Sequence, residues 1–262
     1  MFGINLNSLV PMRTTASEQS EMCSQLLFGE AVAVLEKNDT FMLVQNLMDN
    51  YKGWVDVKMI TPLSDKIATL LNEDDLAVIN KPIANCFIES KNENIVLCGG
   101  SLLPFYLLEK ESFELGNNTY HISSNQVNMP LTKSFSGNDM LSVAFMYLNS
   151  PYLWGGKSPL GIDCSGLVQV VLSICGKKFP RDASQQVEQG SLISFLPEAR
   201  SGDLAFFENA EGRISHVGIL INNNQIIHAS GRVKIESIDA QGIINEQTGN
   251  YSHRLRVIKR IL

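Results

Sequence analysis

The sequence predicts an α+β fold in which one or two small β-barrels precede a mixed domain of helices and strands. Three observations carry that expectation. Up to about residue 130, short β-rich runs are broken by Gly, Asn, Asp and Pro; near residue 137 apolar residues begin to recur at helical spacing; and further on two strand-like runs flank an Asn-rich turn. A length of 262 residues leaves room for more than one domain.

The runs Ala31–Leu35 and Thr40–Gln45 have the length and residue types of barrel strands. Asp49-Asn50-Tyr51-Lys52-Gly53-Trp54-Val55 reads as a turn entering another strand, with Gly53 permitting an unusual backbone and Trp54 supplying apolar surface. A second set of runs, Leu76–Ile79, Asn94–Cys98, Ser101–Leu108 and Thr119–Ile122, predicts a second barrel without a matching Gly-Trp pair. These divisions set residues 1–64 and 65–132 as two barrels and 133–262 as the mixed domain. From Gly137 to Asn149 the pattern predicts a helix capped by Ser136 or Asn138. A Gly- and Pro-rich loop from Ser150 to Gly166 then leads into Leu167–Cys175, apolar on most faces, which predicts a buried helix ended by Gly176.

A formal charge of −6 without a Lys/Arg block argues against nucleic-acid binding. No apolar run reaches the roughly 18 to 20 residues that span a bilayer. The first residues show no leader pattern, so the expected location is the cytoplasm, or the periplasm should a leader have been removed. Five cysteines, with no CxxC pair, indicate neither a zinc knuckle nor a disulfide framework. Cys164 stands apart because it falls at the start of the buried helix, where unpaired amides and the helix dipole favour a thiolate, and because Tyr152, Trp154, two glycines and Asp163 crowd the loop before it.

A cysteine nucleophile needs a base, and the chain holds four histidines. His216 lies in the run Arg213–Ile221 and His228 in Gln225–Ser230, with Asn222-Asn223-Asn224 between them as a hairpin signal, so the two rings are expected side by side. That gives Cys164 as nucleophile, His216 as general base and later acid, and His228 as the group that orients it. His121 and His253 are read as ordinary sheet residues. Zinc held by Cys164, His216 and His228 would lack the close paired ligand spacing, so neither metal nor cofactor is expected. Asp203, after Gly202, is read as a turn residue. The chain's end, with Arg254, Arg256, Lys259 and Arg260, is read as a sheet edge with a charged, solvated face.

Five ordered blocks give a resemblance: Pro151-Tyr152-Leu153-Trp154-Gly155-Gly156, Asp163-Cys164-Ser165-Gly166, Ser201–Phe207, Ser215-His216-Val217-Gly218-Ile219 and Ile227-His228-Ala229. Residues 137–235 resemble the NlpC/p60 family of papain-like cysteine peptidases, and Tyr51-Lys52-Gly53-Trp54-Val55 resembles the YxGWV signature of bacterial SH3-like domains. Members with SH3-like domains ahead of the catalytic domain are γ-D-glutamyl-L-diamino-acid endopeptidases. The resemblance implies a murein peptide substrate, L-Ala-γ-D-Glu-diamino acid with a free amine, met in cell-wall peptide recycling. It further implies that Tyr152 helps stabilise the oxyanion, that Asp163 pairs with the substrate amine aided by Ser165 and Ser184, that Tyr51 closes the amine pocket and that Trp154 lines it. A cap on the cleft is the expected role of the SH3-like part. Two other readings stay open: a non-catalytic wall-binding module, and an amidase or acyltransferase of the same fold. The choice between diaminopimelate and lysine, and the oligomeric state, are not legible.

Overall fold

The computed structural model describes residues 1–71, 76–129 and 134–262, so the expected boundary at 132/133 lies outside the described residues. Strands β1 (Phe2–Asn5), β2 (Leu9–Arg13), β3 (Met22–Leu27), β4 (Ala31–Lys37), β5 (Phe41–Asn46), β6 (Lys52–Asp56) and β7 (Ile60–Leu63) form one antiparallel sheet in the order β3-β2-β6-β5-β4-β1-β7. Alternate residues Val10, Met12, Val32, Val44 and Val55 turn inward as its core. Gly53 is glycine because β2 crosses directly above it: a Cβ there would meet the Met12 Cβ at 3.1 Å and the Arg13 carbonyl oxygen at 3.3 Å. Its neighbour Trp54 pairs with Arg13, so the Gly-Trp step is where β6 turns onto β2.

After α1 (Asp65–Leu71), the second β module comprises β8 (Ala77–Ile79), β9 (Ile83–Ile88), β10 (Glu93–Cys98), β11 (Leu102–Leu103), β12 (Ser112–Leu115), β13 (Asn118–His121) and β14 (Val127–Asn128). They make a four-stranded sheet, β10-β9-β13-β12, and a three-stranded one, β11-β8-β14. In place of a Gly-Trp pair, this module closes on aromatic rings. Phe113 stacks on Tyr120 at 4.7 Å, and Phe28, just past β3, meets Tyr120 edge-on at 5.5 Å.

The third part begins with α2 (Gly137–Phe145), started by a capping box in which Ser136 and Asp139 satisfy each other's backbone amides. It continues through β15 (Lys157–Ser158), β16 (Gly161–Ile162), α3 (Cys164–Ile174), α4 (Ala183–Gln186), β17 (Ser191–Ile193), β18 (Leu204–Glu208), β19 (Ile214–Leu220), β20 (Gln225–Ser230), β21 (Arg232–Ile238), β22 (Gly242–Ile244) and β23 (Tyr251–Arg260). Strands β18 to β23 pair in sequence, and β22 pairs β23, so six strands close into a ring, with β17 added outside on β23.

The chain's end is therefore no sheet edge, contrary to the sequence expectation. Ten residues of β23 seal the ring because Ile258 turns into its apolar interior and Val257 onto the core shared with the helices, while Arg254 and Arg256 lie outside against Glu208. Asp203 also does more than turn the chain. Its carboxylate accepts two hydrogen bonds from Arg260, at 2.8 and 2.7 Å, which tie β23 to the start of β18.

Helix α3 is the axis of the molecule. Leu167, Val168, Val170, Val171, Leu172 and Ile174 are all buried, as their sequence pattern predicts, and Gly176 at φ +73° ends the run. One side packs on α2, β19 and β20. The other meets Leu27, Val78, Cys98 and Leu102 from the two β modules, so all three parts share one core. Among the described residues, no helix is long and apolar enough to cross a membrane.

Candidate active site

Cys164 is the first residue of α3, and Asp163 is its cap, with Oδ1 accepting from the Gly166 amide at 2.6 Å. The thiol accepts backbone hydrogen bonds from Val217 and Ser165. Burial, reinforced by the Asp163 carboxylate, nevertheless pushes Cys164 up to about 11, against the pull of those amides and Arg181. The helix N-terminus thus does not make a resting thiolate, as its position suggests it should; a base must take the proton.

The histidines supply it. His216 Nε2 lies 2.9 Å from His228 Nδ1, and His228 Nε2 lies 2.9 Å from Glu236 Oε2. Glu236 also pairs with Lys234 at 3.0 Å, and its hydrogen bonds hold it down to about 2 despite burial, so it is ionised and can only accept. His228 therefore carries its proton on Nε2 and accepts on Nδ1, which fixes the His216 proton on Nε2 and leaves His216 Nδ1 as the basic nitrogen. Burial drives His216 well below its ordinary range.

The sheet register makes this contact possible. His228 falls opposite Gly218 in the β19–β20 pairing, with His216 two residues along on the same face. A Cβ on Gly218 would sit 2.9 Å from the His228 Cβ, so the glycine is the space the second ring needs. His253, read from sequence as an ordinary sheet residue, instead stacks on His216 from β23, with centroids 4.0 Å apart and planes at 26°.

Cys164 opens into a cleft of ≈330 Å³ walled by Tyr51, Glu21 and Thr14 from the first β module and by Tyr152, Trp154, Asp182 and Ser184 from the third part. Burial and the neighbouring thiol and carboxylate raise Tyr152 to about 12, so its phenol keeps its proton and remains a donor. Trp154 is 58% exposed at the rim and Ser184 is exposed.

Asp163 and Ser165 line the same cleft and are held in place there. Arg181 grips the Asp163 carboxylate through both terminal nitrogens, at 3.0 and 2.6 Å, and the Gly155 amide donates to it at 2.8 Å. Ser165 Oγ accepts from Arg181 at 2.8 Å. Asp163 therefore holds the Gly155 loop and the start of α3 together while it borders the cleft. Its partner lies 18 positions away, a pairing that no local pattern could announce. The carboxylates that line the cleft are Asp163, Asp182 and Glu21. Asp182 is hydrogen-bonded to Tyr51, and burial raises it, while the Arg181 nitrogens are taken by Asp163, Ser165 and Ser24. Asp182 stands in the run Arg181–Gln186 from which sequence reasoning selected Ser184; Glu21, on a loop of another module, and Glu236 carried no sequence signal.

A cysteine at a helix start, a histidine pair on a closed sheet and a small barrel that walls part of the cleft make up the site. Residues 149–252 match the NlpC/P60 family and residues 12–60 match the bacterial dipeptidyl-peptidase Sh3 domain, so the chain carries both modules. It is 25% identical over 252 residues to the gamma-D-glutamyl-L-lysine dipeptidyl-peptidase of Bacillus cereus, covering 86% of this chain and 73% of that protein. Its identity to the Bacillus subtilis protein of the same name is 27% over 235 residues, covering 83% and 77%. An NlpC/P60 family protein from Bacillus cereus, known from a crystal structure, shares the fold over 100% of both chains with a TM-score of 0.82 at 20% identity.

Proposed function

We propose that the protein is a cysteine peptidase that cuts the γ-D-Glu-diamino acid bond of murein peptides bearing a free N-terminal L-Ala, in cell-wall peptide recycling. The observation that carries this reading is the cleft itself, which Cys164 shares with three carboxylates, Asp163, Asp182 and Glu21, and with Tyr51 from the barrel. The names of the Bacillus relatives support the bond class.

In this reading Cys164 Sγ attacks the γ-carbonyl as its proton passes to His216 Nδ1. The carbonyl electrons move to oxygen, where the Tyr152 hydroxyl and the Cys164 amide donate to the new charge; each such donor contributes about 3 kcal/mol in comparable sites. The imidazolium, steadied through His228 by Glu236, then gives its proton to the leaving diamino-acid amine. Water, deprotonated by the same nitrogen, releases the dipeptide and restores the thiol.

An ammonium drawn out of water needs a partner of opposite charge, and in this reading the cleft supplies it from Asp163, Asp182 and Glu21, with the Tyr51 hydroxyl beside Asp182. The test is cleavage of L-Ala-γ-D-Glu-L-Lys and its diaminopimelate analogue, beside N-acetylated copies, read by mass spectrometry. Wild type is expected to release L-Ala-γ-D-Glu from the free-amine peptides alone, Cys164→Ala to release none, and Asp182→Asn to lose at least about tenfold in kcat/KM. Equal cutting of acetylated and free peptides would remove the amine pocket, and cutting by Cys164→Ala would remove the nucleophile.

A further inference from the structure

Three histidine rings meet on the closed sheet, and the proposed reaction uses only His216 and His228. His253, on β23, lies face to face with His216, centroids 4.0 Å apart and planes at 26°, whereas His228 meets the same ring edge-on at 85°. We infer that His253 is a positioning residue for the reaction: its ring clamps the His216 imidazole in the plane that offers Nδ1 to the Cys164 proton, and its face lies against the imidazolium once that proton arrives. The inference rests on His216 acting as the base.

The strand is shaped to place this ring. Ile243 pairs with His253 and Ile244 with Tyr251, so one step on β22 spans two on β23, and Ser252 is the extra residue of a β-bulge. A bulge re-aims the side chains beside it, and this one sets the Ser252 hydroxyl 2.9 Å from His253 Nδ1, where it holds the second ring in turn. Phe207, fully buried on β18, lies tilted to His216 at 5.7 Å and edge-on to His253 at 6.0 Å, so both rings lean on one aromatic.

A clamp is needed because of where the His216 nitrogens lie. An imidazole turns about its Cβ–Cγ bond, and Nε2 sits nearer that axis than Nδ1. The 2.9 Å hydrogen bond between Nε2 and His228 therefore restrains the turn weakly, while the same turn swings Nδ1 out of line for the thiol. A flat ring stacked on His216 blocks it, since any tilt drives one edge into His253. The stack also acts during the proton transfer. As the S–H bond breaks and an N–H bond forms on Nδ1, His216 becomes a cation lying on an aromatic face, an attraction that the neutral ring lacks. Burial, with His228 and Lys234 and against the pull of Glu236, holds His253 down to about 4, so that face is uncharged near neutral pH.

Two substitutions separate the ring from its bulk: His253→Phe keeps a flat aromatic face, and His253→Leu fills much of the space without one. With the free-amine peptide, kcat is expected to stay within about twofold of wild type in His253→Phe and to fall about tenfold in His253→Leu, with KM little changed in both. Alkylation of Cys164 by iodoacetamide, followed by peptide mapping, reads the thiol's proton transfer without any peptide substrate. It is expected to slow at least about fivefold in His253→Leu and to keep the wild-type rate in His253→Phe. Wild-type kcat and alkylation in His253→Leu would show the clamp to be dispensable, and an equal loss in both variants would mean that a ring nitrogen matters and the face does not; either result overturns the proposal. His253→Gln takes the place of the leucine variant should that one fail to fold. Absence of cleavage by wild type counts against the peptidase reading alone, because alkylation still compares the three proteins.

Discussion

Glu236 decides, at two removes, which nitrogen of His216 is basic. Its ionised carboxylate compels a proton on His228 Nε2, and each ring then passes the constraint to the next. Glu236→Gln makes that choice ambiguous, because an amide either accepts from or donates to the imidazole, and it removes the charge that steadies the imidazolium. The expected result is a fall in kcat of about 10- to 100-fold with KM little changed, and a mixture of His216 tautomers in nitrogen-detected NMR. An unchanged kcat with a single tautomer would show that the relay ends at His228. Since burial holds His216 below the ordinary histidine range, neutral base persists as pH falls through 6.5, and the wild-type acid limb of kcat/KM is expected below that value. Cys164, His216 and His228 could be picked out in the sequence because each sits in a dense local block. Asp163 was picked out for the same reason, its adjacency to the nucleophile, whereas the distant arginine that holds it was not legible.

At the scale of elements, the β19–β20 hairpin places the base, and its spacing depends on one missing side chain. Gly218→Ala puts a methyl 2.9 Å from the His228 Cβ and 2.7 Å from Ile226 Cδ1; the isoleucine tip can turn away, the Cβ cannot. The chain is expected to fold with a loss of about 1–3 kcal/mol and a reduced kcat, because His228 moves off His216. Urea unfolding and turnover measured on the same protein check this, and a stability loss without a kcat loss would place the strain elsewhere. Both helices, α2 and α3, were legible from apolar spacing, as were the two histidine strands. β23 was not: its outward face carries Arg254 and Arg256, and alternation with charge looks the same on an edge strand and on one that seals a ring. Only the pairing with β22, β18 and β17 separates the two, and pairing is a long-range property.

On the scale of the whole molecule, the first β module is built into the active part. Lys157 Nζ reaches Glu30 at 2.8 Å with both side chains buried, Arg181 Nε donates to Ser24 at 3.1 Å, and Gln169 donates to Asp49 at 2.8 Å. Arg181, which holds Asp163 and hence the start of α3, is thus itself held from the barrel, so a contact outside the NlpC/P60 domain governs the position of Cys164. The burial of α3 against Leu27, Val78 and Leu102 has the same consequence for stability. Removing the β modules would bare that face and leave Lys157 without its carboxylate, and a buried charge stripped of its partner costs about 3–5 kcal/mol where it stays buried. A fragment of residues 134–262 is therefore expected to be a loosely packed state that binds ANS and lacks a cooperative thermal transition, whereas the full chain unfolds in one. Calorimetry and ANS fluorescence on the two proteins decide it. A fragment that melts cooperatively and cleaves the free-amine peptide at the full-chain rate would mean that the barrel neither completes the core nor walls the cleft, and the carboxylate partner of the substrate amine would then have to come from Asp163 or Asp182 without Glu21.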